Sequence, residues 1–382
     1  MLARSRGTAA LAALVGLVVL AVGVAASSAA PRGVLGVPVP KGYKGVEARL
    51  PTAYKLPVKK AGAKCTIGFQ NPIAANETLN TLQSAVVAQA KVFGCKVISL
   101  DDQTNPDKQV SNMQQLLALG VDAIIFYPLD PKATVPLLKQ AKAKNVPVIA
   151  IDGTFGSTKA KVPYLPYITT QVWQGRDIQA FLQVKGMVAA KPHAKVGLIG
   201  LGFPVPALKY LGQREAFWGK KYGLTIVGSQ DNPSDDVTGG EKAANGLIQR
   251  YSNMDAVIGY NDPSALGAAI AARGAGRTIV TVGLNGDSAG LAAVKSGRLA
   301  ATVRVDPVGW GSQCAIAAYN LITKQNLPLP KIIVRPASLV TKANVGSVPS
   351  WAANSTASAR SRCWWESPAT TIRARSDTSY AP

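Results

Sequence analysis

The chain runs to 382 residues with 47% hydrophobic content, material for two or three domains with large cores. Its formal charge is +22, but Lys and Arg are scattered among helix-like stretches and do not cluster with aromatics along one element, so they read as solvated faces and no nucleic-acid partner is expected. A single histidine, His193, and no C-x-x-C pair leave almost nothing from which to build a His/Cys metal site or a Ser-His or Cys-His nucleophile, and neither metal nor cofactor is expected.

Arg4 and Arg6 lead into an apolar block over residues 9–26, almost wholly Ala, Leu, Val and Gly, followed by small residues through Ala30. That is the three-part plan of a secretory signal peptide, so residues 1–30 are expected to direct export to the periplasm or the extracellular face of the membrane. The block is also about long enough to remain as a membrane anchor. No cysteine stands beside it for lipid attachment. Residues 31–62, rich in proline and lysine and without a sustained period, read as a linker.

The folded body begins abruptly. A strand over 67–69 leads through a polar loop, Asn71 to Glu77, into a helix whose apolar positions Leu79, Leu82, Val86, Ala90 and Phe93 recur at helical spacing. A second strand, 97–100, ends in Asp101-Asp102. The next helix carries Val110, Met113, Leu116 and Leu117 on one face and stops at Gly120. Strand 123–126, helix 134–144 and the apolar run 146–151 follow. That run has the unbroken hydrophobicity of a parallel strand buried on both faces, and it stops at Asp152-Gly153, on the sheet edge where open parallel sheets bind ligands. Asp152 is therefore a candidate binding residue, with a cap on the next turn as its other reading. Cys65 and Cys95 stand at the starts of the first two strands. If those strands are parallel neighbours, the two sulfurs meet, and an exported protein keeps the disulfide. Cys314, in a helical pattern, reads as a small buried apolar residue.

Strands and helices alternate at intervals of about 25 to 30 residues, the βαβ rhythm of a doubly wound sheet. The rhythm restarts after Lys191, with strands over 196–199, 225–228, 256–260 and 279–282 and helices over 207–222, 239–251 and 264–273. Met254-Asp255-Ala256-Val257-Ile258 repeats Val121-Asp122-Ala123-Ile124-Ile125, so two α/β lobes of one plan are expected. Small polar groups stand at strand ends in both: Asp101 and Asp152 in the first, Asn261-Asp262 and Asn285 in the second. Two such edges facing each other form a cleft of amides and carboxylates suited to hydroxyl groups. Gly200-Leu201-Gly202 and Gly283-Leu284-Asn285-Gly286 do not continue into phosphate-binding loops. Asp306-Pro307 has the form of a helix start, with Asp as cap and Pro at the first helical position, and 332–334 and 337–340 are late extended segments. From Gly346 the chain carries Trp351, Trp364 and Trp365 without any period, and 346–382 reads as a disordered tail.

Taken together, Ile67-Gly68-Phe69, the stretch from Asp107 to Phe126, the run from Val146 to Asp152, Gly259-Tyr260-Asn261-Asp262, Val282-Gly283-Leu284-Asn285-Gly286 and Leu299-Ala300-Ala301-Thr302-Val303 resemble the type I periplasmic sugar-binding proteins. This ribose-binding-protein-like family shares its core with the lactose-repressor family. The resemblance covers roughly residues 63–345. It implies two doubly wound parallel-sheet lobes joined by three crossover strands, near 167–170, 303–306 and 335–337. The N-terminal lobe then comprises 63–168 plus 306–335 and the C-terminal lobe 169–305 plus 336–345. It further implies a monomer that closes on a sugar or polyol and delivers it to an ABC transporter permease, meeting the membrane surface through that partner or through an uncleaved N-terminal anchor. Asp152 matches the family's first-lobe aspartate, and Asn261 matches the asparagine of its Asn-Asp motif. Asn285 stands where an aspartate is usual, and Gly153 where an arginine is usual. The aromatic pair expected after the first strand is replaced by Asn76-Glu77-Thr78-Leu79, which leaves Asn76 in the ligand set and Trp173 or Phe203 to supply an apolar face. Losing the arginine fork and the aromatics argues against ribose itself and for another hydroxylated molecule.

A sensory receptor using the same cleft to signal to a membrane kinase or chemoreceptor is the alternative. An enzyme requires a paired acid and base, for which only Asp152 and Glu77 present themselves.

Overall fold

The computed structural model describes residues 39–50, 64–153, 164–203, 205–325, 329–335 and 337–351. The expected signal peptide, the remainder of the linker and the tail beyond Trp351 lie outside the described residues. Among the described residues no helix is long and apolar enough to cross a membrane.

The first lobe opens with β1 (Cys65–Asn71), α1 (Glu77–Val92), β2 (Cys95–Asp101), α2 (Pro106–Ala118), β3 (Ala123–Phe126), α3 (Pro131–Ala143), β4 (Val148–Ile151) and β5 (Thr170–Trp173). Each residue of β3 and β4 is buried, as apolar strands covered by helices on both faces must be. The second lobe holds α4 (Arg176–Ala190), β6 (Lys195–Leu201), α5 (Pro206–Lys221), β7 (Thr225–Asn232), α6 (Val237–Arg250), β8 (Ala256–Gly259), α7 (Asp262–Gly274), β9 (Val280–Asn285), α8 (Ser288–Ser296) and β10 (Ala301–Arg304). The chain then returns to the first lobe as α9 (Pro307–Ile322) and β11 (Ile332–Val334), and ends in the second as β12 (Ser338–Thr341). The first sheet has the order β11-β5-β4-β3-β1-β2 and the second β12-β10-β9-β8-β6-β7. All pairings are parallel except that of β12 with β10. The architecture is that of two doubly wound lobes. Both sets of strand C-termini meet at one cleft, because the alternation of strand and helix directs every strand of a lobe the same way.

Helix α9 docks on α1, where a Cβ on Gly311 would stand 2.3 Å from the Leu82 carbonyl oxygen, so the approach of the two backbones requires glycine. Phe93 stacks on Tyr319 at 4.5 Å beyond that contact. Asp306 caps α9 by accepting from the Gly309 amide at 2.9 Å, with Pro307 in the first turn.

Three boundaries differ from the sequence expectation. Strand β5 pairs with β4 and β11, so Thr170–Trp173 belongs to the first lobe and the first crossing falls at 174–175, not at 167–170. Helix α4 then opens the second lobe without an amphipathic signal in its sequence. It is buried almost all round, with Arg176, Asp177, Gln179 and Gln183 as well as its apolar residues enclosed, so no polar face marks its period. The described parts of two segments expected to be loose are packed. Tyr43 and Glu47, in the expected linker, are buried around a 3-10 turn (Val46–Arg49). Trp351, at the start of the expected tail, is buried against Arg304, with ring and guanidinium 4.2 Å apart.

The crossings are bound to one another. The Arg335 backbone N–H donates to the Trp173 carbonyl at 2.9 Å, and its guanidinium meets the Asp306 carboxylate at 2.5 Å.

Cys65 and Cys95 are opposed in the β1–β2 register and are joined by a disulfide closing a separation of 30 residues. Denatured protein should therefore show two more free thiols after reduction than before it. Cys65→Ser should lower the unfolding free energy by about 3.6 kcal/mol, the loop-closure value for this length, as read from urea denaturation.

Candidate functional site

Asp152 follows β4 in a left-handed conformation, φ 51°, which Asp tolerates because its short side chain bonds locally. Its carboxylate is buried. Oδ1 accepts from the Gln174 amide at 2.7 Å, and Oδ2 accepts from Arg176 Nε at 2.8 Å and from the Tyr127 hydroxyl at 3.3 Å. Arg176 Nη2 lies 2.7 Å from the same oxygen and donates to the Tyr127 hydroxyl at 3.0 Å, while Nη1 donates to Gln179 at 3.0 Å. A guanidinium keeps its charge at any ordinary pH, so this is a buried ion pair. The arginine that Gly153 fails to provide arrives from the first residue of α4, on the far side of the first crossing.

A cavity of about 80 Å³ lies between the lobes in front of this pair. It is small against the several-hundred-Å³ clefts that hold drug-sized ligands. From the first lobe it is lined by Asn76, Leu79, Tyr127, Gln174 and Trp310, and Arg176 at the crossing joins them. From the second lobe come Leu201, Val205, Leu208, Asp235, Tyr260, Asn261 and Asn285. Asn76, Asn261 and Asn285 are thus brought together. Asp152 stands one layer behind and reaches the cavity through Gln174, Arg176 and Tyr127.

Trp173 and Phe203 do not line it. Trp173 is fully buried beneath the crossing, edge-on to Tyr210 and donating its Nε1 to Glu47, and Phe203 packs half-buried on the main core. The aromatic face belongs instead to Trp310 in the first turns of α9, whose buried Nε1 has no hydrogen-bond partner. The Asp306-Pro307 start fixes where α9 begins, and counting four residues along it would have placed Trp310 at the cleft.

Asp235 is a further residue that the sequence reading missed. The apolar pattern of β7 fades at Gly228, but the strand runs on to Asn232 with exposed polar residues on the sheet edge, so its true end was hidden. Asp235 accepts from Asn261 Nδ2 at 2.8 Å and from the Tyr260 hydroxyl. Burial raises its pKa, while bonds from Tyr260, Asn261 and, across the cleft, Asn76 act in the opposite sense. Asn261 Oδ1 is spent on the Ser264 amide as the cap of α7. Asn285, at φ 109°, holds a strained backbone, and its side-chain amide makes no hydrogen bond within the described residues. Strain of this kind costs about 1 to 3 kcal/mol and collects at ligand sites.

The remaining carboxylates serve the scaffold. Asp101 accepts from the Ala74 and Gln103 amides. Asp262 is buried beneath β9 and α8, taking the Thr302 hydroxyl at 2.6 Å and the Asp287 amide at 3.0 Å. Glu77 stands at the cleft rim, where its carboxylate receives the Ser288 hydroxyl at 2.7 Å and the Ser288 amide at 3.2 Å from the opposite lobe. The acid–base pair of Asp152 with Glu77 is not assembled, since one is buried behind Arg176 and the other is tied across the rim.

Comparison with known proteins agrees with this architecture. Residues 67–326 match the periplasmic binding protein domain, and the chain belongs to that family. It is 29% identical to the ribose import binding protein of Bacillus subtilis (strain 168) over 277 residues, covering 72% of this chain and 87% of that one. It is 30% identical to the ribose import binding protein of Salmonella typhimurium over 248 residues, covering 64% and 80%. Among solved structures, an ABC transporter solute-binding protein from Bacillus halodurans with bound myo-inositol aligns with a TM-score of 0.66 at 22% identity, over 74% of this chain and 96% of that one.

Two outcomes test the electrostatics. Asp152→Ala leaves the Arg176 charge buried and unpaired and should cost about 3 to 5 kcal/mol in urea denaturation. Glu215, on α5, is buried with an unpartnered Oε1, and burial pushes its pKa from 4.5 up to about 8, with Arg176 acting in the opposite sense. A raised pKa in the folded state means that its contribution to stability is complete below pH 4.5 and is lost as pH rises through about 8. Between pH 5 and pH 9 the wild type should therefore lose on the order of 3 kcal/mol more than Glu215→Gln, measured by urea denaturation at both pH values.

Proposed function

We propose that the chain is an exported solute-binding protein that captures a sugar or sugar-like polyol between its two lobes and passes it to an ABC importer. The observation that carries this reading is the complementary lining of the cleft. Arg176, Tyr127 and the Trp310 ring stand at one wall, and at the other stand Asp235, Asn261 and Asn285, whose side-chain amide makes no hydrogen bond among the described residues. A polyol presents hydroxyls that both donate and accept, along with C–H faces that lie well on an indole. The Cys65–Cys95 disulfide supports residence outside the cytoplasm, where such bonds persist. The relatives named above carry ribose import and myo-inositol in their descriptions, and they support the ligand class.

Asp152 acts at one remove, holding Arg176 and Gln174 in position. A sugar ring enters by parting the lobes at the rim, breaking the Glu77–Ser288 contacts, and the closed form that its bonds restore is the one offered to the transporter.

A thermal-shift screen against D-ribose, D-allose, L-arabinose and myo-inositol tests the reading, because a ligand held only by the folded state raises the melting temperature. At least one should shift it by several degrees at millimolar concentration, and no shift with any polyol would overturn the proposal. For the sugar found, Asn285→Ala should weaken binding about tenfold or more by calorimetry while leaving the sugar-free melting temperature within a few degrees, since it removes a ligand bond and none within the protein.

A further inference from the structure

Residues 39–50 precede the first strand and play no part in the βα alternation, yet Glu47 is 1% exposed and Tyr43 5%. The Glu47 carboxylate stands at the turn where the chain leaves the first lobe. Its Oε1 accepts from the Asp177 amide at 3.0 Å and from Trp173 Nε1, and its Oε2 accepts from the Ile178 amide at 2.9 Å. Asp177 and Ile178 lie in the first turn of α4, whose capping position is Gly175, at φ 71° and without a side chain to cap it. A carboxylate placed there satisfies two amides that the helix leaves open and faces the positive end of its dipole. Trp173 is the last residue of β5. One side chain thus ties down both flanks of the first crossing, and between the ties stand Gln174 and Arg176, which both line the cleft cavity.

The segment carrying Glu47 is itself fastened. The Tyr43 hydroxyl donates to Asp177 Oδ2 at 2.7 Å and accepts from the Glu47 amide at 3.2 Å. Its ring meets Phe181 at 5.4 Å and Trp218 at 5.7 Å. Gly45 passes so near that a Cβ there would stand 2.2 Å from Asp177 Oδ2.

We propose that Glu47 is a positioning residue for the ligand cleft: it supplies the cap that α4 lacks and so fixes the turn that aims Gln174 and Arg176 at the ligand. The capping role stands on the geometry of the turn alone, and the effect on binding rests on the sugar reading above. Asp152 restrains Arg176 from within the first lobe. Glu47 restrains the backbone that carries it, from a segment in front of the lobes altogether.

The test uses the full chain with Glu47→Ala, and Glu47→Gln, which keeps one acceptor, should the alanine variant not fold. Hydrogen exchange is followed first without sugar, at the Asp177 and Ile178 amides and at Val257 and Val282 in the second sheet. The cap predicts exchange about tenfold faster at Asp177 and Ile178 in the alanine variant, a smaller rise in the glutamine variant, and no change at Val257 and Val282. Unchanged exchange at the helix start overturns the proposal. Equal acceleration at all four amides overturns it too, because that pattern reports a general loss of stability. Calorimetry with D-ribose and myo-inositol follows, and the sugar that binds should bind about tenfold more weakly to the variant. Unchanged affinity despite faster exchange overturns the positioning role. If neither sugar binds the wild type, D-allose and L-arabinose are titrated in the same way; if none of the four binds, the sugar reading fails, and the exchange measurement alone decides whether Glu47 holds the turn.

Discussion

The buried pair of Asp152 and Arg176 is the contact on which the cleft depends, because it joins the end of a first-lobe strand to the first residue of the second lobe. An ion pair withdrawn from water contributes little net stability against well-packed apolar residues, but losing one partner is expensive. Its effect is geometric. The planar guanidinium engages Asp152, Tyr127 and Gln179 at once, and the second oxygen of the carboxylate fixes the Gln174 amide. Four side chains and the first crossing are thereby held in one arrangement.

The two walls of the cleft differ in kind. The first-lobe wall carries a cation already matched by its own carboxylate, so it offers oriented donors with little surplus charge. The second-lobe wall carries Asp235, which pairs with no cation among the described residues and is steadied by the Tyr260 hydroxyl and two asparagine amides. A neutral hydroxyl-rich ligand suits this division, because it accepts from one wall and donates to the other without bringing a charge that either must compensate.

Much of the fold was legible in the sequence, since each βα unit places an apolar run against a periodic helix. The repeat of Val121 to Ile125 at Met254 to Ile258 announced two lobes of one plan, and two six-stranded sheets are found. Asn76, Asn261 and Asn285, which line the cleft cavity, were legible because strand ends and helix caps are marked by polar residues following apolar ones. What stayed hidden was hidden for physical reasons. Helix α4 is buried almost all round and so shows no period, and Arg176 at its start was hidden with it. Edge strand β7 carries exposed polar residues at 229–231, just before its end, that resemble a loop, which concealed Asp235. Trp173 belonged to a strand one position in sheet order beyond the expected crossing. Glu47 lay in a segment whose sequence shows no sustained period, and nothing local distinguishes a carboxylate that caps a helix 130 residues away from one in solvent.

The distribution of contacts between the lobes also decides where the molecule can move. At the rim, Glu77 meets Ser288 through solvent-exposed bonds, each worth on the order of 1 kcal/mol or less. At the crossings the bonds are buried and shared. Arg335 binds both Asp306 and the Trp173 carbonyl, Glu47 binds Trp173 and the start of α4, and Trp351 donates to the Val305 carbonyl while stacking on Arg304. Breaking any of these strands a buried polar group, which costs several times more than opening the rim. The lobes should therefore separate at the mouth while the crossings keep their bonds, and the ordered pieces at both ends of the lobes, 39–50 and 346–351, act as braces on the first and second of the three hinges.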